Sequence, residues 1–298
     1  MAAAYKRKGV MKMHDGTMFA HPYVKVSITE LLDGISYETQ DVVFIAGSLV
    51  EGVTDPLAKG IGNRYSDIDV FVLKEDFDTL KKEEITYDFG ALKTHFKNIA
   101  GIRADIENYS LEVIEASVAA LEHCDFSEHT KSRNALLLPE SLDVDVFLSF
   151  VHRFLHSICI NNQERYQSLK DAVNIGTYHR LKKRMQLSQL FNVRDDIVGN
   201  YDAGQTETAA LISRNALMLS LKAYLSYRKI SYDRDKWILI KLKNFSEICE
   251  EAKEIYDSVR CLFFQRKLEE KPDFVSYVED VLMFIDDITD RIGRGEEY

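Results

Sequence analysis

The stretch Gly47-Ser48-Leu49-Val50-Glu51-Gly52, followed after a loop by Ser66-Asp67-Ile68-Asp69-Val70-Phe71-Val72-Leu73, decides how this chain is read. Just upstream, Asp41 opens the run Val42-Val43-Phe44-Ile45-Ala46-Gly47, whose β-branched and aromatic content, closed by Gly47-Ser48, predicts a strand ending at Gly47. Residues 68–73 predict a second strand. Side chains alternate between the faces of a strand, so Asp67 and Asp69 project to one side while Ile68, Val70 and Val72 point into a core. Two adjacent carboxylates repel each other. Magnesium, a hard cation that prefers carboxylate and phosphate oxygens, relieves that repulsion. Gly47 and Ser48 stand where a strand turns into a helix, whose free N–H groups and partial positive charge suit phosphate. Gly47 permits close backbone approach, Ser48 adds a hydroxyl, and Gly52 lets the next turn pack tightly on the sheet.

Outward from this stretch, residues 1–22 read as irregular, Val24 to Ile35 as a short helix, and Asp76 to Glu84 as a charged helix. Ile102-Arg103-Ala104-Asp105-Ile106-Glu107 predicts a third strand, and Ser110 an N-cap for the helix beginning LEVIEASV. Pro139 marks a boundary. Beyond it, runs such as VFLSFVHRFLHSICI, RNALMLSLKAYLSYRK and FVSYVEDVLMFIDDITDRI carry the 3.6-residue period of about five antiparallel helices. A second acidic pair, Asp143 and Asp145, has no Gly-Ser upstream and reads as the exposed start of a helix.

The 298 residues suit two domains, and 46% hydrophobic residues can bury a sizeable core. The net charge of −10 disfavours a long nucleic-acid partner unless a local basic patch overrides it. His179-Arg180-Leu181-Lys182-Lys183-Arg184 is a local basic run that keeps a tRNA partner open. Cys124, Cys159, Cys249 and Cys261 are scattered, as free thiols of a reducing cytoplasm would be. The N-terminus lacks the apolar run of a secretory signal, and no apolar stretch is long enough to span a membrane. The histidines are read as offering no zinc site.

The pattern GSLVEG…SDIDVFVL resembles the signature of the polymerase-β nucleotidyltransferase superfamily over roughly residues 40–110. The segment VTDPLAKGIGNRY makes the gap between Ser48 and Asp67 longer than in compact members; Lys59 and Arg64 lie in it. The resemblance implies an α+β architecture: a nucleotidyltransferase domain over residues 1–138, with a mixed sheet flanked by helices, and an all-α helical bundle over residues 139–298. It implies two Mg2+ ions, with Mn2+ as a substitute, held by Asp67, Asp69 and a third carboxylate. Asp105, between Ala104 and Ile106, matches the family's apolar–Asp–apolar pattern and would also be the general base; Glu107 is the alternative. Gly47, Ser48, Gly52 and Ser66 would line the nucleotide. Lys236, beside the single Trp237, is a candidate phosphate contact in the helical half, and Lys222 another.

The two-domain layout is similar to that of the aminoglycoside adenylyltransferases. This implies transfer of AMP from ATP to a hydroxyl of a small acceptor, favoured over nucleic acid or protein, and the acidic balance suits a cationic one. The alternatives are a toxin-type transferase acting on tRNA or protein, a synthase of nucleotide second messengers, and a catalytically silent binding or regulatory protein.

Overall fold

The structure, a computed structural model, describes residues 10–13, 16–127 and 130–294. The chain divides into two compact units, one of residues 1–124 and 136–174, the other of residues 125–135 and 175–298.

The first unit opens with strands β1 (Val10–Met13), β2 (Gly16–His21) and β3 (Val24–Ser27), an antiparallel three-stranded sheet. Helix α1 (Ile28–Asp33), strand β4 (Val42–Ala46), helix α2 (Gly47–Thr54) and strand β5 (Ile68–Lys74) follow. Then come β6 (Tyr87–Asp88), β7 (Leu92–Ile99), β8 (Ile102–Ser110), α3 (Leu111–Glu122), α4 (Val144–Leu155), β9 (Ile158–Asn161) and α5 (Gln163–Ala172). Six strands form one mixed sheet in the order β6-β7-β8-β5-β4-β9. Strands β5 and β8 run parallel, and the other neighbouring pairs run antiparallel.

Both faces of β5 are covered. Ile68, Val70 and Val72 join Val43, Ile45, Leu49, Val50, Phe19 and Leu31 in one core. On the other face Phe71 stacks on Phe44 at 4.9 Å, with Phe150 and Tyr109 packed around it. Offset and tilted ring pairs of this kind add to the stabilisation from buried area alone. A strand buried on both faces reads as a continuous apolar run, which is why VFVL follows Asp69 without alternation.

Several local expectations are overturned. Residues 16–21 and 24–27 are strands, so only the second half of the expected helix at Val24 to Ile35 forms, as α1. Residues 1–9 lie outside the described residues. The charged stretch from Asp76 holds two 3-10 turns, Phe77–Thr79 and Lys82–Glu84. The helical period expected through Ile160 stops at Leu155, and Ile158–Asn161 adds an edge strand beside β4. With that strand, α4 and α5 belong to the first unit, which ends at Asn174, while residues 125–135 belong to the second. Asp143 does start a helix: its carboxylate accepts from the N–H groups of Asp145 and Val146 at 2.8 and 3.3 Å. Ser110 caps α3 by accepting from the Val113 N–H.

The second unit is helical, with α6 (Ile175–Asp202), α7 (Thr206–Tyr227), α8 (Ile238–Ser246), α9 (Glu250–Arg260) and α10 (Lys271–Arg294). Residues 203–205, with Gly204 at φ 76°, turn α6 back along α7. The basic run on α6 is partly spent within this unit. Lys182 is buried and donates to the Tyr232 carbonyl at 2.6 Å, and Arg184 donates to the Ser127 carbonyl at 2.9 Å. Arg180 lies over the Phe126 ring at 4.2 Å. No helix among the described residues is long and apolar enough to cross a membrane.

Candidate active site

Two strands bring the carboxylates together. Asp69 lies on β5 between Ala46 of β4 and Asp105 of β8, its Cα partners in the sheet. Glu107 is the partner of Phe71 one pleat further on. Asp67 stands just before β5 and pairs with Arg103 at 2.5 Å, Arg103 itself being largely exposed. Side chains at directly opposed positions share a face, so Asp69 and Asp105 point to the same side of the sheet.

Glu107 is occupied otherwise. It accepts from the Tyr109 hydroxyl at 2.8 Å and forms an ion pair with Arg153 of α4. Asp69 and Asp105 make no side-chain hydrogen bond or ion pair among the described residues; what acts on them is burial and the surrounding charge. Burial pushes the Asp69 carboxyl up to about 7, with Glu107, Asp105 and Asp67 raising it further against the opposing pull of Arg153. Asp105 is raised as well, by burial first and then by Asp67, while Arg103 pulls it back. Such shifts are found at sites that handle a cation or a proton, and in structural charge networks as well. Asp67, Asp69 and Asp105 offer oxygen atoms, the donors a hard divalent cation prefers, although they do not form a group with ligand atoms within 4.8 Å of one another, as Glu51, His152 and His156 do.

Gly47 is the first residue of α2 and adopts φ 80°. A Cβ at this position would lie 1.5 Å from Asp69 Oδ2, so the turn can rest on the carboxylate only as glycine. Ser48, half-buried, follows it in the first turn. Gly52 does not meet the sheet as expected. A Cβ there would come within 2.4 Å of the Ile61 carbonyl, so its partner is the long loop. That loop is built, not free: a 3-10 turn spans Pro56–Ala58, Ala58 and Ile61 are buried, and Gly62 at φ 84° packs on the Ser48 carbonyl. The extra residues thus buttress the first turn of α2. Lys59 and Arg64 are exposed, Arg64 lying over the Tyr65 ring at 4.6 Å. Ser66 is used in the same loop, its hydroxyl accepting from the Asn63 N–H at 3.0 Å.

A groove of about 410 Å³ opens beside the carboxylates, lined by Asp67, Phe96, Lys97, Asn98, Arg103 and Asp105. Phe96 is the sheet partner of Asp105. In the second unit, exposed Lys236 lies over the Trp237 ring at 4.8 Å, and Lys222 is paired with Asp235 at 2.6 Å. Sequence reasoning did not find Arg153; nothing local marks an arginine on an amphipathic helix as the partner of a strand glutamate.

The zinc reading of the histidines needs correction. His152 and His156 are four residues apart, one helical turn, and Glu51 joins them; one ligand atom from each lies within 4.8 Å of the others. The spacing His152-Arg153-Phe154-Leu155-His156 is the signal that was there to find.

No family model and no curated protein matches the sequence. Among solved structures the chain is similar to the crystal structure of a nucleotidyltransferase-like protein from Exiguobacterium sibiricum 255-15, with a TM-score of 0.45 and 9% identity, over 86% of this chain and 70% of that one.

Proposed function

We propose that the protein is a metal-dependent nucleotidyltransferase that moves a nucleoside monophosphate, AMP from ATP, onto a hydroxyl of a small acceptor with release of pyrophosphate. The observation that carries this reading is the register that sets Asp69 beside Asp105, with Gly47 closed down on Asp69. Asp67 completes the acidic set.

In this reading magnesium held by Asp67, Asp69 and Asp105, or manganese in its place, supplies positive charge for the phosphate oxygens and makes the acceptor hydroxyl more acidic. The rest falls to the chain. The N–H groups at the start of α2 and the Ser48 hydroxyl bind the phosphates. Asp105 takes the proton from the acceptor hydroxyl, a role its raised proton affinity suits. The hydroxyl oxygen bonds to the α-phosphorus as the bond to the bridging oxygen breaks, and pyrophosphate leaves with that electron pair. The ion pair of Glu107 with Arg153 supports Asp105 over Glu107 as the third carboxylate. The groove beside Asp67 and Asp105 gives a ligand access to both. A small cationic acceptor agrees with the net charge of −10.

The test is incubation with each nucleoside triphosphate labelled at the α-phosphate, magnesium or manganese, and separate pools of small molecules, protein and RNA. Label on a small hydroxyl compound, stopped by chelation, is expected. Label on RNA or protein would replace the acceptor class, and transfer at full rate in excess chelator would overturn the mechanism.

A further inference from the structure

Past its first turn, α2 meets the end of α4 at a cluster that nucleotidyl transfer does not use. Glu51 lies on α2 and Asp55 caps its end, while His152 is in the last turn of α4 and His156 is its C-cap. The Thr54 hydroxyl donates to the His156 carbonyl at 2.9 Å, which holds the two helix ends side by side. His152 Nε2 is 3.2 Å from Glu51 Oε1, and the two imidazole rings are 5.1 Å apart. Glu51 and His152 are 5% and 2% exposed. Asp55 Oδ2 stands 4.0 Å from His156 Nδ1.

We propose that Glu51, His152 and His156 form a binding site for zinc, separate from the aspartates of β5 and β8. Two imidazole nitrogens and one carboxylate oxygen are a zinc donor set, whereas magnesium favours oxygen alone. Bonds of about 2.0–2.1 Å to a tetrahedral ion put ligand atoms roughly 3.3 Å apart. Glu51 and His152 already stand at 3.2 Å, and half-buried His156 closes the remaining gap by a side-chain adjustment. Asp55 is placed behind His156 as the outer carboxylate that orients a metal-binding imidazole. The metal staples α2 to α4 and so fixes the helix whose first turn carries Gly47 and Ser48. The proposal does not rest on the transfer reaction.

The test uses the full chain, stripped with chelator, dialysed, and titrated with zinc by calorimetry, with elemental analysis and a parallel cobalt(II) titration. One zinc per chain is expected, with a raised melting temperature and the visible absorption of a tetrahedral cobalt site. Glu51→Gln and His156→Gln should each weaken zinc binding by more than about 100-fold, and Asp55→Asn by about 10-fold. Asp69→Asn should leave the zinc stoichiometry unchanged. His156 is only half-buried, and circular dichroism verifies that its variant is folded. Folded wild-type chain that takes up no zinc would mean a hydrogen-bonded glutamate–histidine cluster only, and would overturn the proposal. So would zinc binding that survives both Glu51→Gln and His156→Gln, or that is lost with Asp69→Asn.

Discussion

Replacing Asp69 by Asn should remove transfer and at the same time stabilise the metal-free protein. The carboxyl is raised from an ordinary 3.8 to about 7 by burial and by the carboxylates around it. At about 1.4 kcal/mol per pH unit, that interval makes ionising Asp69 in the folded protein cost at most about 4 kcal/mol. The residue as a whole keeps some contact with solvent, and relaxation and water penetration around the ionised carboxyl lower the figure to about 2 kcal/mol. Because the folded protein binds this proton more tightly than the unfolded chain, the contribution is fully present below 3.8 and is lost as pH rises through about 7. Asparagine has nearly the same volume and no charge to strand. Urea unfolding in chelator should therefore show Asp69→Asn more stable than wild type by about 2 kcal/mol near pH 8, and little different near pH 4. Added magnesium should raise the wild-type midpoint and leave that of the variant nearly fixed. A variant no more stable than wild type near pH 8 in chelator, or one with the same advantage at both pH values, would refute the electrostatic reasoning.

Gly47→Ala combines a left-handed backbone with a methyl group driven into Asp69; it should cost about 1–2 kcal/mol from the backbone alone and abolish transfer, and wild-type melting and activity would count against the contact. Asp105→Asn should lower the transfer rate about 100-fold or more. Glu107→Gln should lower it less but destabilise the fold, since it leaves the Arg153 charge, itself only slightly exposed, without its carboxylate; rate assays and melting on both variants show which order holds. Lys236→Ala should leave the melting temperature unchanged because the side chain is exposed; if Lys236 meets the triphosphate the Michaelis constant for it will rise, and wild-type kinetics would remove Lys236 from the site.

How much of this was legible in the chain depends on the range of the interaction. Strands β4 and β5, the Gly47 turn and the caps at Ser110 and Asp143 follow from residues that are neighbours in sequence, so β-branched runs, a glycine and short polar side chains suffice to read them. Helices α7 and α10 follow in the same way from their apolar period. The apolar run at Ile158 also fits that period, yet it pairs with β4 because an edge there was open to it. Asp69 and Asp105 are thirty-six positions apart, and only the parallel register of β5 with β8 sets them side by side. Glu107, the alternative to Asp105 on the same strand, is instead ion-paired with Arg153 of α4, a contact that no local pattern announces. Glu51 meets His152 and His156 for the same reason. Local sequence determined which elements form and which carboxylates each strand offers. Tertiary packing decided which of those carboxylates is left without a side-chain partner, because that depends on a charge brought in from elsewhere in the chain.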